Sequence, residues 1–271
     1  TTVIASPVGS RQIHIAKIPV LTAGTYNPAA AATGPGSEES TVFAIVAQPT
    51  ATGAAVGAPT VPTFNSAGAI TLALTDNIAT VVAGYPANTH FQLLNGTYTN
   101  WSDVRPKTGM YFMGPAAGTA VLEGTSKGYA FRAIDATGSS NNVTINGNIK
   151  IQNYGLGTAR AEYGAIQAQP TDTIGNEYTY GTADGWYIRG VELALNSSNG
   201  IRMSDNGTVD SCLIYGHTVT GIGADRNVGG LIYGNTLEAN GYESAPGAGA
   251  NGANIKVTFI NGHEGRTSIV P

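Results

Sequence analysis

Ile188-Arg189-Gly190-Val191-Glu192-Leu193, Val209-Asp210-Ser211-Cys212-Leu213-Ile214 and Ile232-Tyr233-Gly234-Asn235-Thr236-Leu237 are three versions of one strand pattern. Each runs on to a polar residue and a glycine: Asn196 with Gly200-Ile201, His217 with Gly221-Ile222, and Asn240-Gly241. Written beneath one another, Ile188, Val209 and Ile232 align, as do Leu193, Ile214 and Leu237, and Asn196, His217 and Asn240. The offsets are 21 and then 23 residues. A period of this size belongs to stacked supersecondary units, each burying its apolar face only against its neighbours.

Leucine-rich repeats and parallel β-helices share this period, and the residues separate them. A leucine-rich repeat needs leucine at several fixed positions and a helical segment on its far side. Here the inward positions mix Ile, Val, Cys and Leu, and Gly-Ile or Asn-Gly pairs fall where a helix would have to run. Short β-branched runs bounded by Asn and Gly read as strand and turn. Both residues tolerate the left-handed conformation that a sharp corner requires. The pattern predicts a parallel β-helix.

Composition agrees. The 37 glycines among 271 residues are about twice the usual share, and the 11% of charged residues is under half of it. Many tight turns and few ion pairs follow. The net charge of -4 and the lack of any basic run argue against a nucleic-acid partner. No apolar stretch is long enough for a membrane span. Cys212 is the single cysteine and falls at an inward strand position, where it reads as a small buried hydrophobe.

Residues 1 to 85 differ from the rest. They carry five charged side chains (Arg11, Lys17, Glu38, Glu39 and Asp76) and prolines at 7, 19, 28, 35, 49, 59 and 62. Apolar runs at 12–21, 41–46 and 69–74 have strand character, but prolines between them cannot donate to a ladder. The segment is too apolar for an ordinary disordered tail. Thr1-Thr2-Val3-Ile4-Ala5-Ser6 has neither a basic start nor a long apolar run, so it does not read as a secretory signal. The expectation for Thr1 is that it follows a removed initiator Met, with a removed signal peptide as the alternative.

A second set of residues carries a family resemblance. Tyr85-Pro86-Ala87-Asn88-Thr89-His90-Phe91, Asn95-Gly96-Thr97-Tyr98 and Arg105-Pro106-Lys107-Thr108-Gly109-Met110-Tyr111-Phe112-Met113-Gly114 follow one another, with Phe112 placed 21 residues after Phe91. This run resembles the opening of right-handed parallel β-helix proteins of the pectate-lyase-like superfamily, over residues 78 to about 245. The resemblance implies an all-β fold: a right-handed parallel β-helix solenoid over 78–271, with a separate N-terminal β or extended segment over 1–77 for attachment or capping. It says little about activity, because that fold carries lyases, hydrolases, epimerases, adhesins and phage tailspikes.

The period breaks between Tyr154 and Trp186. Asn153 aligns with Asn196 and Ala165-Ile166 with Gly200-Ile201, which leaves an inserted loop at about 167–184. Insertions in such arrays often form the binding face. Tyr178 and Tyr180 in this loop are the candidate binding residues, suited to stacking on sugar rings or to a subunit interface.

Enzymes on this fold place carboxylates and a basic residue on a strand face, since sugar chemistry needs a paired acid and base. Arg202, Asp205, Asp225 and Arg226 follow consecutive Gly-Ile strands and are the candidate catalytic group, with Asp210 and His217 nearby. The competing reading is a solvated ladder of charges at a turn. His217 stands at an Asn position of the repeat, which favours a turn role. The sequons at Asn95, Asn100, Asn142, Asn196 and Asn206 are also ordinary turn chemistry. No phosphate loop, Cys/His metal set or Ser/His/Asp arrangement is present, so no cofactor or metal is expected.

Two functional expectations result. One is a non-enzymatic structural or adhesive module: a virion component of tail, fibre or decoration type, or another surface-assembly protein. It would be self-associating, with a trimer favoured, or bound to other structural subunits, and it allows a polysaccharide ligand. The other is a secreted polysaccharide lyase or hydrolase.

Overall fold

The computed structural model describes residues 57–125, 127–133, 140–155, 164–169, 183–225, 229–241, 253–258 and 268–270. They all belong to the second of two units into which the chain divides, Thr1–Gly53 and Ala54–Pro271. Among them the protein is all-β apart from one helix, with every strand pair parallel.

In chain order the elements are β1 (Ile70–Leu72), α1 (Ile78–Gly84), β2 (His90–Leu93), β3 (Gly96–Tyr98), β4 (Tyr111–Met113), β5 (Ala120–Glu123), β6 (Phe131–Arg132), β7 (Thr144–Gln152) and β8 (Gly164–Gln167). Then come β9 (Tyr187–Ala194), β10 (Asn199–Arg202), β11 (Thr208–Asp210), β12 (Leu213–Tyr215), β13 (Thr220–Asp225), β14 (Leu231–Tyr233), β15 (Thr236–Glu238), β16 (Ala253–Thr258) and β17 (Ser268–Val270). A long sheet has the order β1-β2-β4-β7-β9-β11-β14-β17, with β3, β5, β12 and β15 alongside. A second sheet runs β16-β13-β10-β8-β6.

The register follows the period. Val209 pairs with Ile188 on one side and Ile232 on the other, Ile214 with Leu193 and Leu237, and Ile201 with Ile222 and Ile166. These side chains point inward with Phe91, Phe112, Ile145, Ile151 and Leu122, and both sheets contribute to one hydrophobic cluster. Phe91 stacks on Phe112 at 5.1 Å between ring centres, and Phe112 meets Phe131 of the second sheet edge-on at 5.0 Å. Each such side chain contributes roughly 1.5–3 kcal/mol by leaving water. Trp101 is fully buried beside them, and its indole N–H reaches the Ala130 carbonyl.

The corners explain the glycine and asparagine content. Asn88, Gly109, Asn142, Gly185, Asn206 and Gly229 each stand two residues before a strand of the long sheet, all with φ between 47° and 74°. Asn and Gly alternate for a steric reason: a Cβ at Gly109, Gly185 or Gly229 would run into the side-chain oxygen of Asn88, Asn142 or Asn206 at the preceding corner. The left-handed region suits both residue types.

Three expectations shift. The parallel ladder already includes β1, whose Ile70 pairs with Phe91, so ordered sheet begins before the expected boundary at 77/78. The stretch that opens the expected solenoid is not a strand but α1. Asn77 caps it by accepting from the Thr80 N–H, Ile78 and Val82 lie one turn apart and are buried, and Pro86 holds Tyr85 in an extended conformation that ends it. The rest of the expected N-terminal segment, 1–56, lies outside the described residues. Asn153 is also off by one: Gln152 pairs with Ala194, which sets Asn153 beside Leu195 rather than Asn196.

Candidate functional site

Of the proposed catalytic group, Arg202 closes β10, where it pairs with Gln167 of β8 and Gly223 of β13. Its guanidinium donates to the Gln169 side chain at 2.9 Å, and its Cδ lies over Gly223, 3.1 Å from where a Cβ would stand. Asp205 forms a parallel bridge with Asp184, and its carbonyl accepts the Gly185 N–H at 2.8 Å. Arg202 thus lies over a glycine of the next strand. Asp225 ends β13, but its side chain lies outside the described residues, as do all of Arg226, Tyr178 and Tyr180. The inserted loop is seen only at its ends, Gln167 in β8 and Asp184 at the bridge.

Among the described residues, a polar cluster lies elsewhere, on the outward positions of the long sheet. Inward Ile188 and Val209 are flanked by outward Tyr187, Arg189 and Asp210. The Asp210 carboxylate accepts from the Tyr187 hydroxyl at 2.8 Å and from Ser211 at 2.7 Å, and pairs with Arg189 at 3.1 Å. Asn146 on β7 donates to the Tyr111 hydroxyl at 2.7 Å. Burial, then the bond to Asp210, push the Tyr187 phenol well above its ordinary range, and burial also raises Tyr111. The Asp210 carboxylate, with three donors beside phenols that keep their protons, is a clasp between strands. A second clasp joins β7, β9 and β12: Lys150 to Glu192 at 2.8 Å, with the Tyr215 hydroxyl on the same Glu192 oxygen at 2.7 Å. A third joins Arg132 of β6 to Asp103 at 2.7 Å. Strand parity carried a signal for the first clasp, because its members alternate with Ile188 and Val209.

His217 occupies the turn column as its alignment with Asn196 and Asn240 requires. Asn196 Oδ1 accepts the Tyr154 N–H, His217 Nδ1 accepts the Asn196 N–H at 3.3 Å, and Asn240 Oδ1 accepts the His217 N–H at 3.1 Å. The Asn amides donate onward to the Ile151 and Ile214 carbonyls. His217 Nε2 faces the equivalent Leu193 carbonyl without reaching hydrogen-bond geometry. The imidazole is fully buried and burial lowers its pKa to about 4, so it is neutral, with the proton on Nε2. A Cβ on Gly200 would stand 2.7 Å from Nε2, which is why glycine recurs there. Cys212 is buried in the core, and desolvation pushes its thiol up to about 12.

Among the described residues, no group of three or more His, Cys, Asp or Glu side chains is placed to hold a metal ion. No described helix is long and apolar enough to cross a membrane. No family model, curated protein or solved structure matches the chain.

Proposed function

We propose that this chain is a right-handed parallel β-helix that serves as a non-enzymatic structural or adhesive module, a tail, fibre or decoration component of a virion or a comparable surface assembly. The observation that carries the reading is the pairing of charges across the stack: Arg189 with Asp210 and Lys150 with Glu192 from strand to strand, and Arg132 of β6 with Asp103. These groups tie the stack together, and a stiff stack is what a load-bearing or displaying element needs. The parallel pairing of every strand, with β9, β11 and β14 in register at the 21- and 23-residue offsets of the sequence repeat, supports the β-helix assignment. Self-association, a trimer in the simplest case, follows from the stacking tendency of such arrays at their ends. Tyr178 and Tyr180 are the proposed contacts to a glycan or a neighbouring subunit.

Light scattering on the full chain at micromolar concentration tests the assembly; a clean monomer of 27.6 kDa defeats it. Incubation with acidic polysaccharides tests the rest. Release of reducing ends or unsaturated products would overturn the non-enzymatic reading and return Arg202, Asp205, Asp225 and Arg226 to the catalytic role. Deleting 171–181 should spare the β-type circular dichroism and weaken self-association or glycan retention.

A further inference from the structure

Just before β1 the chain passes over the outward side chains of β2 and β4. Most of residues 57–68 are exposed, with Pro59, Val61 and Phe64 half-buried. Within this stretch the bonds are local turns, Ala67 N–H to Asn65 Oδ1 and Ala69 N–H to the Ser66 carbonyl. Its hydrogen bond and ring contacts to the sheet meet at Phe64 and Asn65. The Phe64 ring lies 5.5 Å from His90 and 5.1 Å from Tyr111, and the Asn65 N–H donates to His90 Nδ1 at 2.9 Å. His90 itself stacks on Tyr111 at 5.3 Å, with 24° between the rings.

That geometry assigns the state of the imidazole. A ring nitrogen that accepts an amide hydrogen carries no proton, so Nδ1 is bare and Nε2 holds the hydrogen. We infer that His90 is an acid-operated latch: uptake of a solvent proton at Nδ1 turns the acceptor into a donor, breaks the bond from Asn65 and releases the 57–68 strap from the sheet, uncovering the Tyr111 ring.

The surroundings favour the neutral, closed form. The titratable groups facing His90 are two phenols, Tyr85 from the stretch after α1 and Tyr111 from β4; the strap and β1 bring none among the described residues. No carboxylate is there to welcome an imidazolium, and burial lowers the His90 pKa. Cation–π attraction to Phe64 works the other way but is lost when the strap opens, whereas that to Tyr111 of β4 is present in both states and does not bias the latch. The latch therefore holds above the ordinary histidine range and weakens as pH falls below about 6.5.

Amide hydrogen exchange on the full chain, corrected for the intrinsic effect of pH, reads the opening directly. Between pH 7.5 and 5 the protection of the Asn65 amide should fall about fivefold, the equivalent of one ordinary hydrogen bond. Amides of β2 and β4 should keep theirs. His90→Gln retains an acceptor that cannot titrate, and should hold Asn65 protection constant across the same range. A pH-independent wild type, an equal loss in His90→Gln, or a parallel loss at the β4 amides would each overturn the latch, the last by showing global unfolding instead.

Discussion

Replacing His217 with Asn should remove a defined part of the protein's acid sensitivity. In the parent the imidazole is buried with its pKa lowered from 6.5 to about 4, so the unfolded chain takes up a proton that the folded chain refuses. The stabilisation is complete above pH 6.5, is lost as pH falls, and levels off below about 4. Between pH 7.5 and 5 the linkage relation puts the loss at about 2 kcal/mol. Asparagine already performs this job at positions 196 and 240, accepting one backbone N–H and donating to one carbonyl. In His217→Asn the side chain should bond the Asn196 N–H and the Leu193 carbonyl, leaving stability at pH 7.5 within about 1.5 kcal/mol of the parent. The assay is urea unfolding of both proteins at half-unit steps of pH. Subtracting the two curves cancels every other titrating group, and the difference should narrow or reverse by about 2 kcal/mol on going to pH 5. Parallel curves would refute the buried neutral imidazole and the column built on it.

Val209→Asp places a carboxylate between Ile188 and Ile232 in the inward column and should cost at least about 3 kcal/mol, read as a large drop in melting temperature. Gly185→Ala forces a Cβ into φ +69° against the Asn142 side chain and should destabilise by about 1–2 kcal/mol. Adding Asn142→Gly should relieve the contact but not the backbone strain, a coupling that a double-mutant cycle measures. Glu192→Gln, in a half-exposed clasp, should cost under about 1 kcal/mol, and the difference from the parent should shrink further in high salt.

The parts of this molecule that were legible in its sequence are those fixed by stacking. Ile188, Val209 and Ile232 pair as their alignment predicted, and His217 falls in the asparagine column, because in β9 to β15 the next strand lies one period on and must match in shape. Where local chemistry outranks the period, the reading slipped. The Asn77 cap, the Ile78/Val82 pair and Pro86 make a helix out of a stretch expected to open the solenoid. The left-handed corner at Asn153 matches Leu195, a residue with φ 54° that no alignment of asparagines would have chosen. The clasp of Tyr187, Arg189 and Asp210 required strand parity as well as period. Arg202 and Asp205 stood out by charge alone, and charge does not reveal that Arg202 lies over Gly223.

The alternation of Asn88 with Gly109, Asn142 with Gly185 and Asn206 with Gly229 has a bearing on how such a chain can change over generations. A side chain at one corner reserves the empty space at the next, so neither position is free to drift alone. Gain or loss of a single residue can be absorbed inside a strand, as where the β7–β9 offset falls by one between Asn146 and Ile149, and leaves the corners paired. Gain or loss of two whole turns keeps asparagine over glycine all along the edge, whereas one turn sets like against like. The number of turns is in that sense quantised, with a favoured step of two.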